Sequence, residues 1–300
     1  MADPSPQSAQ KPASSAPTPS KPRGARPDFA TIGGIAVALS GILGGLILEK
    51  GSIQDVAQMT AAMIVMGGTL GAVLVTTPLP VFLRACKGLG GAFLEKGSST
   101  AATIESLIRY AAMARKHGIV SLETEAEAVA DPFLRKALNL AVDGTDLQEL
   151  RKMMELDIGL GEMIGEAEAK VWEAAGGYAP TIGIIGAVMG LIQVMKNLED
   201  IKAVGHGIAV AFVATVYGVA SANIFFLPVA NKLKGRTRAA ALVKELILEG
   251  VVGLVEGLNP TLLRMKLDSY NQDSPKPGKA KAVAGADKAA LAGQPARGES

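Results

Sequence analysis

Four stretches of this chain are apolar and free of Asp, Glu, Lys, Arg and His: roughly Ala30–Leu48, Val56–Leu83, Tyr178–Met195 and Gly207–Ala230. A helix needs about 20 such residues to cross the hydrocarbon core of a bilayer. A backbone in lipid must satisfy its own hydrogen bonds, so runs of this kind read as spanning helices. Composition agrees. The 300 residues are 49% hydrophobic, 4% aromatic and 19% charged, with 35 glycines. A soluble helical chain of this size carries more charge and less glycine. The expected fold is an all-α membrane protein with four transmembrane helices and a helical cytoplasmic domain between spans two and three. No sustained period-two alternation occurs, so no sheet is expected.

Loop charge sets the orientation. Lys21, Arg23 and Arg26 precede span one; Arg84, Lys87 and Lys96 follow span two; Lys232, Lys234, Arg236 and Arg238 follow span four. The loops near Glu49–Asp55 and Lys196–His206 carry sparse, mixed charge. The positive-inside rule then puts both termini and the middle block in the cytoplasm, with the chain multi-pass in the membrane. The chain divides into a Pro/Ser/Ala-rich arm (1–28), spans one and two (29–83), a helical cytoplasmic domain (84–177), spans three and four (178–230), a C-terminal helix (231–268) and a tail (269–300). The arm lacks the apolar core of a signal peptide, and arm and tail both read as disordered. The tail lysines either touch acidic lipid or stay solvated. Span two is expected to continue as a helix into the cytoplasm.

Inside the middle block, one helix should start at Ser99 or Thr100 and stop at Gly118, a residue suited to a left-handed C-terminal position. A second has Asp131 as N-cap, Pro132 in its first turn and Gly144 at its end. A long helix then leads into span three. A net charge of +2 leaves no footprint for nucleic acid. Cys86 is the only cysteine, which excludes an intrachain disulfide, and no base lies near it in sequence. His117 and His206 are isolated and read as surface residues. With no metal cluster, no nucleotide loop and no acid or base in a span, neither catalysis nor a cofactor is expected.

The segment "GGYAPTIGIIGAVMGLIQVM" (Gly176–Met195) holds five glycines and a proline. Residues three, four and seven apart share a helix face. Gly183, Ala187 and Gly190 form one stripe with Gly186 beside it; in span four Gly207, Ala211, Ala214, Thr215, Gly218 and Ala222 line up likewise. Span two offers Gly67 and Gly71, and span one Gly33, Gly41 and Gly44. Lipid gives helices no hydrophobic reason to associate, so small residues that let backbones approach mark contact faces. Two readings stand: packing within one bundle, or faces turned to another protein or a pore. Thr215 likewise either bonds back to its own helix or lines a path. Pro180 is expected near a helix start, and Pro228 should kink its helix or free a carbonyl; plain helix-end punctuation is the other reading of both.

The absence of any ionisable residue in the spans limits function. An ion path normally needs such a group at membrane depth, although inserting one costs ~2.5–3.5 kcal/mol. If this chain conducts ions, a partner must bring the carboxylate.

The run "GGYAPTIGIIGAVMGLIQVMKNLEDIKAVGHGIAVAFVATVYGVASANIFFLPVANKLKGR" resembles the third and fourth membrane helices of the MotA family, stator subunits of the bacterial flagellar motor. That family sits among the proton-channel proteins that include TolQ and ExbB. "DFATIGGIAVALSGILGGLILEKGSI" resembles its first helix, and "MARKHGIVSLETEA" the charged stretch of its cytoplasmic domain. The likeness covers about Phe29 to Leu267, and the proline-rich arm departs from the family's short N-terminus. The resemblance implies a homo-oligomeric ring, a pentamer, in membrane lipid around a dimer of the single-span protein MotB. MotB supplies the membrane Asp and anchors to peptidoglycan, while the ring pushes the rotor protein FliG. It implies an ion pathway and coupling role for Pro180, Ala187, Thr215, Tyr217 and Pro228, and a rotor contact at Arg115, Lys116 and Glu123. Gly67, Gly71, Gly183, Gly186, Gly190 and Gly218 remain the helix-packing candidates. Sodium-type relatives carry Thr in both helices, the first within "GTL"; here the matching stretch is "GAV" with Ala187, which implies protons as the coupling ion. The alternative is a TolQ/ExbB-type subunit energising outer-membrane processes, but those relatives resemble three-span proteins with the N-terminus outside.

Overall fold

The computed structural model describes residues 26–95 and 100–270. Most of the proline-rich arm, Lys96, Ser99 and the tail beyond Tyr270 lie outside the described residues. Helix α1 (Phe29–Leu48) begins where the Asp28 carboxylate accepts from the Ala30 and Thr31 N–H groups. A single turn, α2 (Ile53–Val56), leads to α3 (Met59–Thr76), which is wound as a π-helix over Met63–Gly67. The expected uninterrupted run Val56–Leu83 is corrected here. Thr77 is extended (φ −125°, ψ 130°) because the Pro78 ring crowds an α conformation in the residue before it. A new helix, α4 (Leu79–Phe93), then starts.

The cytoplasmic block comprises α5 (Thr100–His117), a 3-10 turn (Ile119–Leu122), α6 (Glu123–Ala128) and α7 (Pro132–Val142). Gly118 and Gly144 end α5 and α7 at φ +82° and +72°, and Asp131 caps α7 through the Phe133 and Leu134 amides. Helix α8 (Leu147–Lys196) is 50 residues long. At 1.5 Å per residue that is about 75 Å, more than twice a bilayer's ~30 Å hydrocarbon core. After a short turn, α9 (Ile201–Val255) returns alongside it. The C-terminal helix expected over 231–268 is not one element: α9 runs on to Val255, the chain turns at Gly257 (φ +70°), and α10 (Pro260–Leu267) packs back.

The α8–α9 hairpin is the spine, and glycine sets its spacing. A Cβ built on Gly218 would stand 2.6 Å from the Ala179 carbonyl oxygen; one on Gly190 would stand 2.7 Å from the Gly207 carbonyl; one on Gly183, 2.9 Å from the Ala214 carbonyl. On Gly186 it would meet the Ala214 methyl at 2.8 Å. These obstacles are mostly backbone, which cannot step aside. Gly67 and Gly71, expected to pack in the same way, do not: both are exposed, and nothing lies within 4 Å of an added Cβ. The glycine of α3 that is used is Gly68, against Ile182 of α8. Gly33, Gly41 and Gly44 of α1 are equally open, and α1 buries no residue.

Below the membrane, Leu107, Leu122, Leu138, Leu150, Met154, Leu246, Ile247, Leu263 and Leu267 form a fully buried core from α5, the 3-10 turn and α7 to α10. Between core and membrane, Trp172 stacks on Phe226 and meets Phe225 edge-on, with ring centroids 6.2 Å apart in each pair. Its indole N–H donates to the Ala85 carbonyl at 3.4 Å. One small departure from an all-helical reading occurs. Arg26–Pro27 pairs antiparallel with Leu94–Glu95, so the end of the arm is ordered by backbone hydrogen bonding that side-chain alternation does not reveal.

Gly218→Leu should therefore separate α8 from α9, while Gly71→Leu, with open space around it, should not. Overpacking of this kind costs about 1–3 kcal/mol. Thermal unfolding of the purified protein in detergent should show a lowered midpoint for Gly218→Leu and an unchanged one for Gly71→Leu.

Candidate functional site

Helices α1, α3, α8 and α9 are long and apolar enough to cross a membrane. Along α8 and α9 the sequence-singled residues fall into two levels. Toward the end remote from the cytoplasmic core lie Ala187 and Thr215, both half-buried. The Thr215 hydroxyl donates to the Ala211 carbonyl of its own helix at 3.2 Å, and its oxygen keeps acceptor capacity. Ala187 offers only a methyl. Tyr217, also half-buried, reaches out of α9: its hydroxyl donates to the Val56 carbonyl at 2.5 Å and accepts from the Gln58 N–H at 3.4 Å. It thus holds the start of α3 against α9.

The second level contains the prolines. Pro180 does not lie near a helix start, as expected; it is inside the 50-residue α8, one turn beyond Gly176. Its missing N–H leaves the Gly176 carbonyl without its usual intrahelical partner. Gly176 packs so closely on Leu227 of α9 that an added Cβ would lie 2.6 Å from that side chain. Pro228 lies inside α9 and does not end it. The helix is wound as a π-helix over Ser221–Phe226, with the Leu227 N–H bonding to the Ala222 carbonyl, so the wider turn absorbs the ring. In sequence Pro180 follows Trp172 by eight residues and Pro228 follows Phe226 by two.

The rotor-contact candidates sit at the far end of the cytoplasmic block. Arg115 and Lys116 are in the last turn of α5, where cations also complement the helix dipole, and Glu123 opens α6. All three are exposed, and none forms an ion pair with another described residue. Beside Arg115 an open hollow of about 380 Å³ is lined by Ala111, Ala114, Ile119, Ala141 and Leu254, among others. No group of three His, Cys, Asp or Glu able to hold a metal occurs among the described residues.

Sequence reasoning missed an ionic junction at the foot of α1. Lys232 pairs with Asp28, and Arg236 lies 3.4 Å from the same carboxylate oxygen. The hydrogen bond from Lys232, followed by the one from the Thr31 amide, holds Asp28 down at about 2. The available signal was Asp28 itself, an N-cap residue directly before an apolar run; its partner 200 residues on was not readable. A second junction ties the cytoplasmic helices together. Glu249 of α9 takes Arg151 of α8 at 2.7 Å and Lys266 of α10 at 2.5 Å. Burial pushes Glu249 up, but the hydrogen bonds from Arg151 and Lys266 outweigh it and hold the carboxyl below its usual range.

Residues 32–118 match the family model described as Motility protein A N-terminal, and residues 125–245 match that of the MotA/TolQ/ExbB proton channel family. The chain is 34% identical to Motility protein A of Helicobacter pylori over 243 residues, which is 81% of this chain and 95% of that protein. It is 33% identical to the uncharacterized protein YtxD of Bacillus subtilis over 261 residues, 85% of this chain and 96% of that one. The solved structure of C. jejuni MotAB contains a chain that superposes with a TM-score of 0.78 at 33% identity, covering 83% of this chain and 98% of its own length.

The Glu249 junction has a definite pH signature. A carboxyl whose folded pKa is depressed adds stability above its unfolded value, near 4.3, and loses it as pH falls through the lower folded value. Glu249→Gln should destabilise the cytoplasmic helices at pH 7 by about 1.5–3 kcal/mol, the worth of hydrogen bonds to charged groups. Denaturant unfolding of variant and parent should differ clearly at pH 7, and the gap should narrow at pH 4 and below.

Proposed function

The chain belongs to the MotA/TolQ/ExbB proton channel family, and on that premise we propose that it is a stator subunit of a bacterial flagellar motor. It works in the inner membrane with both termini in the cytoplasm. Several copies, five on the family pattern, form a ring in lipid around a MotB-like single-span partner. The observation that carries this reading is the want of any Asp, Glu, Lys, Arg or His in four spans of a chain whose relatives are motility proteins and whose structural neighbour is a MotAB complex. A charge in hydrocarbon is costly, so ions need a titrating or coordinating group at depth. The partner's membrane carboxylate supplies it, and this chain supplies the wall. No covalent chemistry is performed by the chain itself.

The coupling ion is the proton. Sodium must exchange hydration water for several oxygen ligands, and Ala187 has none to give. Thr215 has one, and a single hydroxyl falls short of the several ligands sodium needs. A proton instead reaches the partner's carboxylate through water. Pro180 and Pro228 serve as the coupling points: the π-wound stretch before Pro228 and the freed carbonyl before Pro180 allow two arrangements of similar energy, as a switch requires. The cytoplasmic block then delivers force to the rotor protein FliG through Arg115, Lys116 and Glu123. Exposed charges of this kind steer and orient an encounter more than they add affinity.

Proton flux tests the assembly. Vesicles holding this chain alone should leak protons near background, and co-expression with the partner lacking its periplasmic plug should raise the flux. Strong conduction by the lone chain rejects the reading. Swimming in sodium-free medium tests the ion: it should persist and should stop with a protonophore. Reversing Arg115 to Glu should impair swimming, with partial recovery on reversal of a facing charge on FliG. Normal swimming by every reversal at Arg115, Lys116 and Glu123 would move the contact elsewhere.

A further inference from the structure

Helix α1 packs loosely along its length, touching α2, α4 and the π-wound stretch Ser221–Phe226. It buries no residue, and a Cβ added at Gly33, Gly34, Gly41, Gly44 or Gly45 would meet nothing within 4 Å. Its cytoplasmic foot, by contrast, is held three ways. The Asp28 N–H donates to the Phe93 carbonyl at 2.8 Å, and Arg26–Pro27 pairs with Leu94–Glu95. The carboxylate of Asp28 divides its work. Oδ1 accepts from the Ala30 and Thr31 amides at 3.1 and 3.2 Å, which caps α1. Oδ2 faces the Lys232 ammonium and the Arg236 guanidinium, which belong to α9. The Asp28 side chain is 11% exposed, while Lys232 and Arg236 are 35% and 28% exposed.

The location of Lys232 and Arg236 gives the junction its meaning. They lie four and eight residues after Pro228, on one stripe of α9. The π-wound stretch Ser221–Phe226 ends two residues before Pro228. Any change in winding there turns everything that follows it, the two cations included. Among the described residues no ion pair or hydrogen bond joins α1 to α8 or to the part of α9 before the π turn.

We propose that Asp28 is a positioning residue: through Lys232 and Arg236 it ties the foot of α1 to the part of α9 beyond Pro228, so that α1 moves with that part when the Pro228 region rearranges. The purpose of this movement rests on the stator reading; the linkage itself does not. The competing explanation is that Asp28 is only an N-cap. Asparagine caps a helix about as well as aspartate but carries no charge, so Asp28→Asn separates the two roles.

The test uses the full chain with its partner in lipid nanodiscs, in a Cys86→Ser background. Spin labels are placed at Leu39→Cys in α1 and Leu70→Cys in α3, both on exposed positions. Labelled chains are diluted with unlabelled ones, and distances are read by pulsed EPR. The parent should give a narrow distribution whose mean shifts on Pro228→Ala. Asp28→Asn should broaden it and abolish that shift. The double variant Lys232→Ala, Arg236→Ala should reproduce Asp28→Asn from the other side. A distribution unchanged by Asp28→Asn overturns the proposal, as does a Pro228→Ala shift that survives in the Asp28→Asn background. The distances need no working motor, so a failed clamp and a failed stator reading are told apart by scoring swimming separately.

Discussion

Backbone-to-backbone contact between α8 and α9 is the constraint on which the rest depends. Lipid offers no hydrophobic reward for pairing two apolar helices, so the pair is held by dispersion at very short range. That range is available only where Gly183, Gly190, Gly207 and Gly218 present no side chain to carbonyl oxygens opposite. The contact continues into the cytoplasm on the same two helices, where leucine and isoleucine replace glycine because burial from water now drives the association. One hairpin thus crosses two solvents; glycine also allows close packing in its cytoplasmic part, at Gly165 against Thr237 and Gly250 against Leu107, but there large apolar side chains fill the core.

This division reassigns the glycine stripes. A smooth outer surface for a partner to slide past is one use that small residues could serve, but the faces of α8 and α9 that carry them are spent on each other. What both helices turn outward is large and apolar, as at Ile184, Val188 and Met189 of α8 and Phe212 and Val216 of α9. Gly67 and Gly71 of α3 and the glycines of α1 are among those left open.

The α8–α9 pair also sets where strain collects. Its two prolines do not break it because each irregularity is absorbed within a packed neighbourhood: Pro228 by the π-wound turn, Pro180 by a position deep inside a helix held on both sides of it. The Trp172 cluster is a dense aromatic joint between α8 and α9, and the Asp28 and Glu249 junctions tie neighbouring helices to the same pair by charge. Rigid spine, local irregularity and charged ties are the parts a force-transmitting subunit requires.

Much of this was legible in the linear chain. Four uncharged apolar runs, basic flanks and the absence of an intramembrane acid all follow from the cost of charge in hydrocarbon, which any reading of residues can apply. Gly118, Gly144 and Asp131 announce helix ends because capping and positive φ are properties of single residues and their immediate neighbours. Periodicity also found the stripe containing Gly183, Gly186 and Gly190. It could not say that Gly67 and Gly71 face away while Gly68 meets Ile182, because which face of a helix finds a neighbour depends on the azimuth of α3 against α8. Nor could it pair Asp28 with Lys232, or Tyr217 with Val56, since those bonds close loops of more than 150 residues. Local chemistry decided where helices start, stop and cross; the mutual rotation of packed helices, a property of the whole assembly of side chains, decided which residues meet.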